Sequence, residues 1–222
     1  MSRRGLVALG DSNTNGHGEP ALGVTMQSWA QWLAEALALP FTKLVRDGAL
    51  ARDVLDEQVP RLEGPYDVAC LYVGVNNTRS TDWDAGAYGE ALRATASALA
   101  ACSERLLLCT LPADLGRPRA APKPRDASAI VRAVAGEHDA ALAELDDLAG
   151  PPWLLPDAVH PTARGQLEMA DRAARALGAP TLPSSLIEIH DSRRARARFA
   201  ARWGVLLTSD LRRRAIERVR AP

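Results

Sequence analysis

Ser12 stands directly after a short apolar run, at the head of the turn-rich string Asp-Ser-Asn-Thr-Asn-Gly, where a hydroxyl can be presented in the open. A serine hydroxyl is a poor nucleophile until a base removes its proton, and histidine is the usual base near neutral pH. That base needs a third group to fix its tautomer and stabilise the imidazolium that forms. Asp157 lies three residues before His160, and Pro156 and Pro161 stiffen the segment, so one short loop can deliver both groups. An oxyanion developing on an attacked carbonyl needs donors. Backbone N–H groups near Ser12, the flexible backbone of Gly48 and the side-chain amide of Asn76 are suitable types. Asn76 is neutral and offers two N–H donors. Asn77 competes with it, although the Gly-x-Asn spacing favours Asn76.

These groups span 149 positions, so only tertiary structure can gather them. Short apolar runs at residues 5–10, 41–45, 67–73, 105–111 and 140–145 read as strands, with 67–73 the clearest buried one. Helical spacing over residues 27–39, 52–62, 84–102, 126–138 and 162–177 places helices between and after them. Strands alternating with helices predict βαβ units, a parallel sheet of about five strands and helices on both faces. In such a sheet ligands bind beyond the carboxyl ends of the strands. Asp11 and Ser12 follow the first strand, Asp47 and Gly48 the second, Asn76 and Asn77 the third, while Asp157 and His160 arrive on a late loop.

Gly10-Asp11-Ser12, the lone Gly48, Gly74-Val75-Asn76 and Asp157-Ala158-Val159-His160-Pro161 resemble, in order, the four blocks of the SGNH hydrolases, the GDSL-like lipases and acylhydrolases. The likeness covers residues 5–178. It implies a flavodoxin-like three-layer α/β/α sandwich and hydrolysis of small-molecule or lipid-like esters, small acyl groups such as acetyl among them, without metal or cofactor. By position, the resemblance makes Ser12 the nucleophile, His160 the base and Asp157 its orienter, with the Ser12 N–H, Gly48 and Asn76 as the oxyanion hole. One block departs from the pattern: Lys43 and Asp47 stand where an Asn and a small polar residue are common. An acidic neighbour of Gly48 can weaken an oxyanion hole or favour a cationic substrate.

Other readings of the same residues stand beside this one. Ser12 could be a turn or capping residue of a phosphate-binding loop, but neither Gly-Lys-Ser/Thr nor Gly-x-Gly-x-x-Gly is present. Asp157 could close an Asx-turn, and His160 could start a helix beside Pro161. The whole could be a flavodoxin-like binding module, which has no need of an Asp-His pair, or an acyltransferase using the same groups. His17 is expected in a solvated loop, His138 at a helix end and His190 on the surface. No Cys/His cluster has metal-ligand spacing.

Of the 222 residues 47% are hydrophobic and 24% charged, ordinary for a folded domain, and the formal net charge of zero gives no reason to expect nucleic acid. From His190 onward, however, ten Arg face three acidic residues, a local +7 that leaves −7 on the rest. This region reads as an Arg-rich helical extension over 181–222, separate from a hydrolase domain over 1–180, and as two amphipathic helices parted near 204–209. Docking of their apolar faces on the domain or on another subunit is the expectation, ahead of contact with a membrane surface. The proline-rich, basic stretch 112–125 is expected as an extended loop flanking the pocket or lying in solvent. Three cysteines read as small core residues, and the apolar run ending at Gly10 is too short for a signal peptide, so a cytoplasmic protein is expected. The oligomeric state is left open.

Overall fold

The five apolar runs form five strands in the computed structural model, which describes residues 4–116 and 122–220. They are β1 (Leu6–Gly10), β2 (Phe41–Val45), β3 (Tyr66–Tyr72), β4 (Ser103–Cys109) and β5 (Ala141–Ala143). All pair in parallel, in the order β2-β1-β3-β4-β5. β1 is buried along its whole length because it is flanked by β2 and β3 and covered on both faces. That is why it reads as an unbroken apolar run instead of alternating.

Two helices, α2 (Trp29–Ala36) and α7 (Ala163–Ala176), pack together on one face of the sheet; α5 (Ala85–Ala101) and α6 (Lys123–Glu137) pack together on the other. The result is a three-layer α/β/α sandwich, as expected. Trp29, Tyr66, Tyr72, Tyr88, Leu9, Leu33, Leu107 and Leu108 are the large side chains sealed in its core, with many alanines filling the space between them. At about 25 cal/mol per Å2 of apolar surface removed from water, these are the residues that hold the layers together. Short helices open the two loops that matter most: α1 (Ser12–Asn15) follows β1 and α4 (Val75–Arg79) follows β3.

Three segments differ from the sequence expectation. The helix expected over 52–62 is a composite: α3 (Ala51–Asp53) passes into a π-helical turn (Val54–Gln58) and a 3-10 turn (Val59–Arg61). Pro60 has no N–H to continue an α-helical ladder, and the wider π turn directs Gln58 inward. The two helices expected in the tail are one, α8 (Arg193–Arg220). Gly204 costs a helix interior only about 1 kcal/mol, and the Thr208 hydroxyl donates to the Gly204 carbonyl at 2.8 Å within the helix, so the break expected there does not occur. Helix α6 begins at Lys123, inside the stretch expected as loop; residues 117–121 of that stretch lie outside the described residues.

Among the described residues no helix is long and apolar enough to cross a membrane. Cys70 and Cys109 are buried and Cys102 half-buried, all three as free thiols.

Candidate active site

Parallel strands end on one edge, and the polar residues that follow β1, β2 and β3 meet there. β1 delivers Ser12. Its last residue, Gly10, has φ +151°, and a Cβ built on it would lie 2.2 Å from the Tyr72 carbonyl oxygen and 2.6 Å from the Thr14 hydroxyl, so only glycine fits. Asp11 then caps α1, its Oδ1 accepting the Asn13 N–H at 3.0 Å. Ser12 is the first residue of that helix and buried.

The Asp157–His160 segment is a self-bonded turn. Leu154 and Pro161 form an isolated antiparallel bridge, the Leu155 N–H donates to the His160 carbonyl at 2.9 Å and the Ala158 N–H to the Leu155 carbonyl at 2.8 Å. The turn closes through Ala158 at φ +55°, the left-handed region that a non-glycine residue enters at a cost of about 1–2 kcal/mol. It brings the three side chains into line. Ser12 Oγ lies 3.1 Å from His160 Nε2, and His160 Nδ1 lies 2.8 Å from Asp157 Oδ2. The other oxygen of Asp157 accepts the N–H groups of Val159 at 2.9 Å and His160 at 3.0 Å. Burial works against the charge on Asp157, but these hydrogen bonds, the one from the His160 ring foremost, outweigh it and hold the carboxyl below its usual range. Asp157 therefore stays ionised, and with the carboxylate on Nδ1 it is Nε2 that faces the serine hydroxyl.

The donors expected for an oxyanion lie on the neighbouring loops. Gly48 has φ +75°, and a Cβ placed on it would meet nothing within 4 Å, so it is its left-handed backbone and not crowding that favours glycine there. Asn76 Nδ2 donates to the Ala49 carbonyl at 3.1 Å and to Asp11 Oδ2 at 3.3 Å, which fixes the amide between the β1 and β2 loops. Asn77 is turned elsewhere: its Oδ1 accepts the Ala51 N–H at 3.0 Å, at the start of α3. Of the two asparagines, Asn76 is the one beside Asp11.

Asp47, the unusual residue before Gly48, does not face an oxyanion unattended. Its carboxylate takes His17 Nε2 at 2.9 Å and the Asn15 amide at 2.8 Å, and Lys43 Nζ donates in turn to Asn15 Oδ1 at 2.8 Å. Lys43 and Asp47, the two departures from the family pattern, thus belong to one paired network that ties the β2 loop to the end of α1. His17 is half exposed, yet its ring centroid lies 6.0 Å from that of His160, so it borders the site and is more than a solvated loop residue. His138 caps α6 and lies 3.3 Å from the Ser97 hydroxyl, and His190 is exposed.

Two supporting residues, Gln58 and Gln166, escape a reading by motif, and a third, Asp11, lies in the Gly10-Asp11-Ser12 block with no role expected for it. Gln58 is buried and grips Gly10 on both sides: Oε1 accepts the Gly10 N–H at 2.9 Å and Nε2 donates to the Gly10 carbonyl at 2.8 Å. Gln166, buried in α7, accepts the Trp29 N–H at 2.8 Å and donates to the Asn13 carbonyl at 3.0 Å, fastening α1 to the helical layer. Asp11 is sealed in, and burial pushes its carboxyl up to about 7. The one signal for the glutamines was a polar residue at an inward position of an otherwise apolar helix face, which by itself is ambiguous. Among the described residues no group of three His, Cys, Asp or Glu side chains is placed to hold a metal ion.

Residues 8–167 match the model of the GDSL-like lipase/acylhydrolase family. The chain belongs to that family. No curated protein sequence matches it. Among solved structures it is similar to LAE5, an alpha/beta hydrolase enzyme from the metagenome of Lake Arreo, Spain, with a TM-score of 0.64 and 19% identity over 79% of this chain and 95% of that one. It is also similar to Axe2, an acetylxylan esterase from Geobacillus stearothermophilus, with a TM-score of 0.61 and 17% identity over 79% of this chain and 94% of that one. At such identities the structural likeness speaks for the fold. As a GDSL-like acylhydrolase the chain is a serine hydrolase acting on ester bonds. The family match ends at residue 167, inside α7, so α8 lies outside it.

Proposed function

We propose that the chain hydrolyses carboxylic esters of small acyl groups, acetyl first among them, through an acyl-enzyme on Ser12. The observation that carries this reading is the continuous hydrogen-bonded line from Ser12 Oγ through His160 to Asp157. His160 Nε2 takes the hydroxyl proton as Oγ attacks the ester carbonyl carbon, and the carbonyl π pair moves onto oxygen. The N–H groups of Ser12 and Gly48 and the amide of Asn76 receive that oxyanion. For Asn76 the oxyanion replaces the longer of its two hydrogen bonds, the 3.3 Å contact to Asp11. Collapse of the tetrahedral intermediate expels the alcohol, whose oxygen takes the proton from His160. A water molecule then gives a proton to His160 as it attacks the acyl carbon, and collapse of the second tetrahedral intermediate releases the acid while Ser12 Oγ takes that proton back from His160.

Axe2, an acetylxylan esterase, is one reason to begin with acetyl esters. The test compares hydrolysis of p-nitrophenyl acetate and butyrate by the wild type and by Ser12→Ala, together with labelling by a fluorophosphonate probe. The expected result is turnover favouring acetate, with both turnover and labelling lost in Ser12→Ala by at least about 10^4-fold. Equal labelling of folded wild type and Ser12→Ala would remove Ser12 from the nucleophile's place.

A further inference from the structure

Helix α8 carries one less-exposed stripe. Ala195, Phe199, Trp203, Leu206, Asp210 and Arg214 recur at spacings of three and four, the period of a single helix face, while the residues between them are exposed. The phenyl ring of Phe199 and the indole of Trp203 lie along it with centroids 5.5 Å apart. The stripe is the less exposed side of α8, and two polar contacts, one from Arg214 on the stripe and one from the exposed Arg202 beside it, fall on the two loops that bear the Ser12–His160 pair.

At one contact, Arg202 pairs with Glu19. Glu19 belongs to the loop that leaves α1, and its carbonyl accepts the Ala163 N–H at 2.9 Å, at the start of α7. At the other contact, twelve positions further along, Arg214 Nη2 donates to the carbonyl of Pro156 at 3.0 Å. Pro156 is the residue before Asp157. Arg214 cannot wander, because its Nε is paired with Asp210, a carboxylate that is 5% exposed. The junction is also filled: a Cβ on Gly116 would lie 2.8 Å from the Ala158 methyl and 3.2 Å from Arg214 Nη2. The loop after β4, the left-handed corner of the 157–160 turn and the guanidinium therefore meet at one point.

We propose that α8 is a positioning element of the active site and that Arg214 is its positioning residue. From its anchor on Asp210, Arg214 holds the carbonyl of Pro156 and keeps the strained 157–160 turn in the conformation that places His160 within reach of Ser12. Arg202 and Glu19 tether the serine-bearing loop to the same rigid rod, so the two halves of the reacting pair are set relative to one another through α8. A charge-assisted hydrogen bond from a partly buried guanidinium is among the stronger ones available for such a purpose. This inference rests on the Ser12–His160–Asp157 reading, and it gives the basic extension a role in the chemistry.

The test uses the full chain and four variants: Arg214→Met, Arg214→Lys, Arg202→Gln and, as a control on the exposed face, Arg212→Met. Each is measured for kcat and KM on p-nitrophenyl acetate, for its rate of fluorophosphonate labelling, and for thermal unfolding. Displacing a reacting group by an ångström can cost about 100-fold. Arg214→Met should therefore lose about 10- to 100-fold in kcat and in labelling rate while KM stays within about 2-fold. Arg214→Lys should recover part of that loss, Arg202→Gln should lose several-fold, and Arg212→Met should match wild type. A merely structural role would lower the unfolding temperature and leave kcat of the folded protein unchanged, and that result would overturn the proposal. Should Arg214→Met fail to fold, Arg214→Lys and Arg202→Gln decide: wild-type kcat and labelling in both would overturn it equally. A wild type that labels and turns over through Ser12 while every variant keeps full kcat sinks this inference alone. A folded wild type that neither labels nor turns over sinks the reading beneath it as well.

Discussion

Asp11 is a carboxylic acid sealed in beside Ser12, and its burial gives it an unusual linkage to pH. Burial raises its carboxyl to about 7 in the folded protein, against an ordinary value of 3.8. The folded chain thus keeps a proton that the unfolded chain releases, and the stability this group contributes is fully present below 3.8 and lost as pH rises through about 7. Asp11→Asn removes the dependence. The difference in unfolding free energy, wild type minus Asp11→Asn, should fall steadily between about pH 4 and pH 7 and level off above, as read by urea titrations across that range. A difference that stays flat would mean that Asp11 is ionised throughout. The same acid faces Asn76, whose amide it holds at 3.3 Å; a neutral carboxyl accepts that hydrogen bond more weakly than a carboxylate and yields it to an oxyanion more readily. Asp47, by contrast, is exposed and paired with His17 and with Asn15 at the end of α1.

At the scale of elements, the segment between β2 and β3 shows how an irregular helix serves the site. A regular α-helix over these residues would give Gln58 a different direction; the π turn of Val54–Gln58 instead turns the amide onto Gly10, two residues before Ser12. The Gly10 N–H depends on this side chain, whereas its carbonyl also accepts the Arg46 N–H at 3.3 Å. Gln58→Leu preserves approximate volume and strands the buried N–H, at about 1–3 kcal/mol. A destabilisation of that size, about 1–3 kcal/mol, is expected in urea unfolding; a change under about 0.5 kcal/mol would show that the N–H finds another partner. Helix α7 plays the equivalent part from the opposite layer through Gln166, which joins α1 to α2.

Across the whole molecule, charge is divided: residues from His190 onward carry +7 and the remainder −7. Arg202 with Glu19 joins the two in that sense and Arg164 with Asp191 in the opposite one, all four side chains being partly accessible to solvent. Exposed pairs of this kind are screened within about 8–10 Å at ordinary ionic strength and within about 3 Å at 1 M salt. Cleavage by trypsin within residues 193–213 should therefore quicken several-fold between about 0.1 M and 1 M salt, relative to a control peptide, while the sandwich stays intact. Cleavage that does not respond to salt would assign the docking to Phe199, Trp203 and Leu206 instead.

Much of this was legible in the sequence, for definite reasons. Strands of a parallel sheet are buried on both faces, so β1 and β3 appear as continuous apolar runs whatever surrounds them, and the residues after them must share one edge. Ser12, Asp157 and His160 were legible as candidates because such chemistry demands particular residue types in particular local frames: a strand end, and a proline-flanked turn four residues long. Local sequence also determined that Gly48 is the sole glycine available after β2. Only tertiary structure decided the rest. The π turn depends on a partner, Gly10, that is 48 positions away from Gln58. The different settings of Asn76 and Asn77 come from what each amide meets on other loops, and the burial that raises Asp11 comes from layers that sequence spacing does not encode. The grip of α8 on Pro156 is likewise a contact between distant segments, whose free energy depends on shape and distance in space.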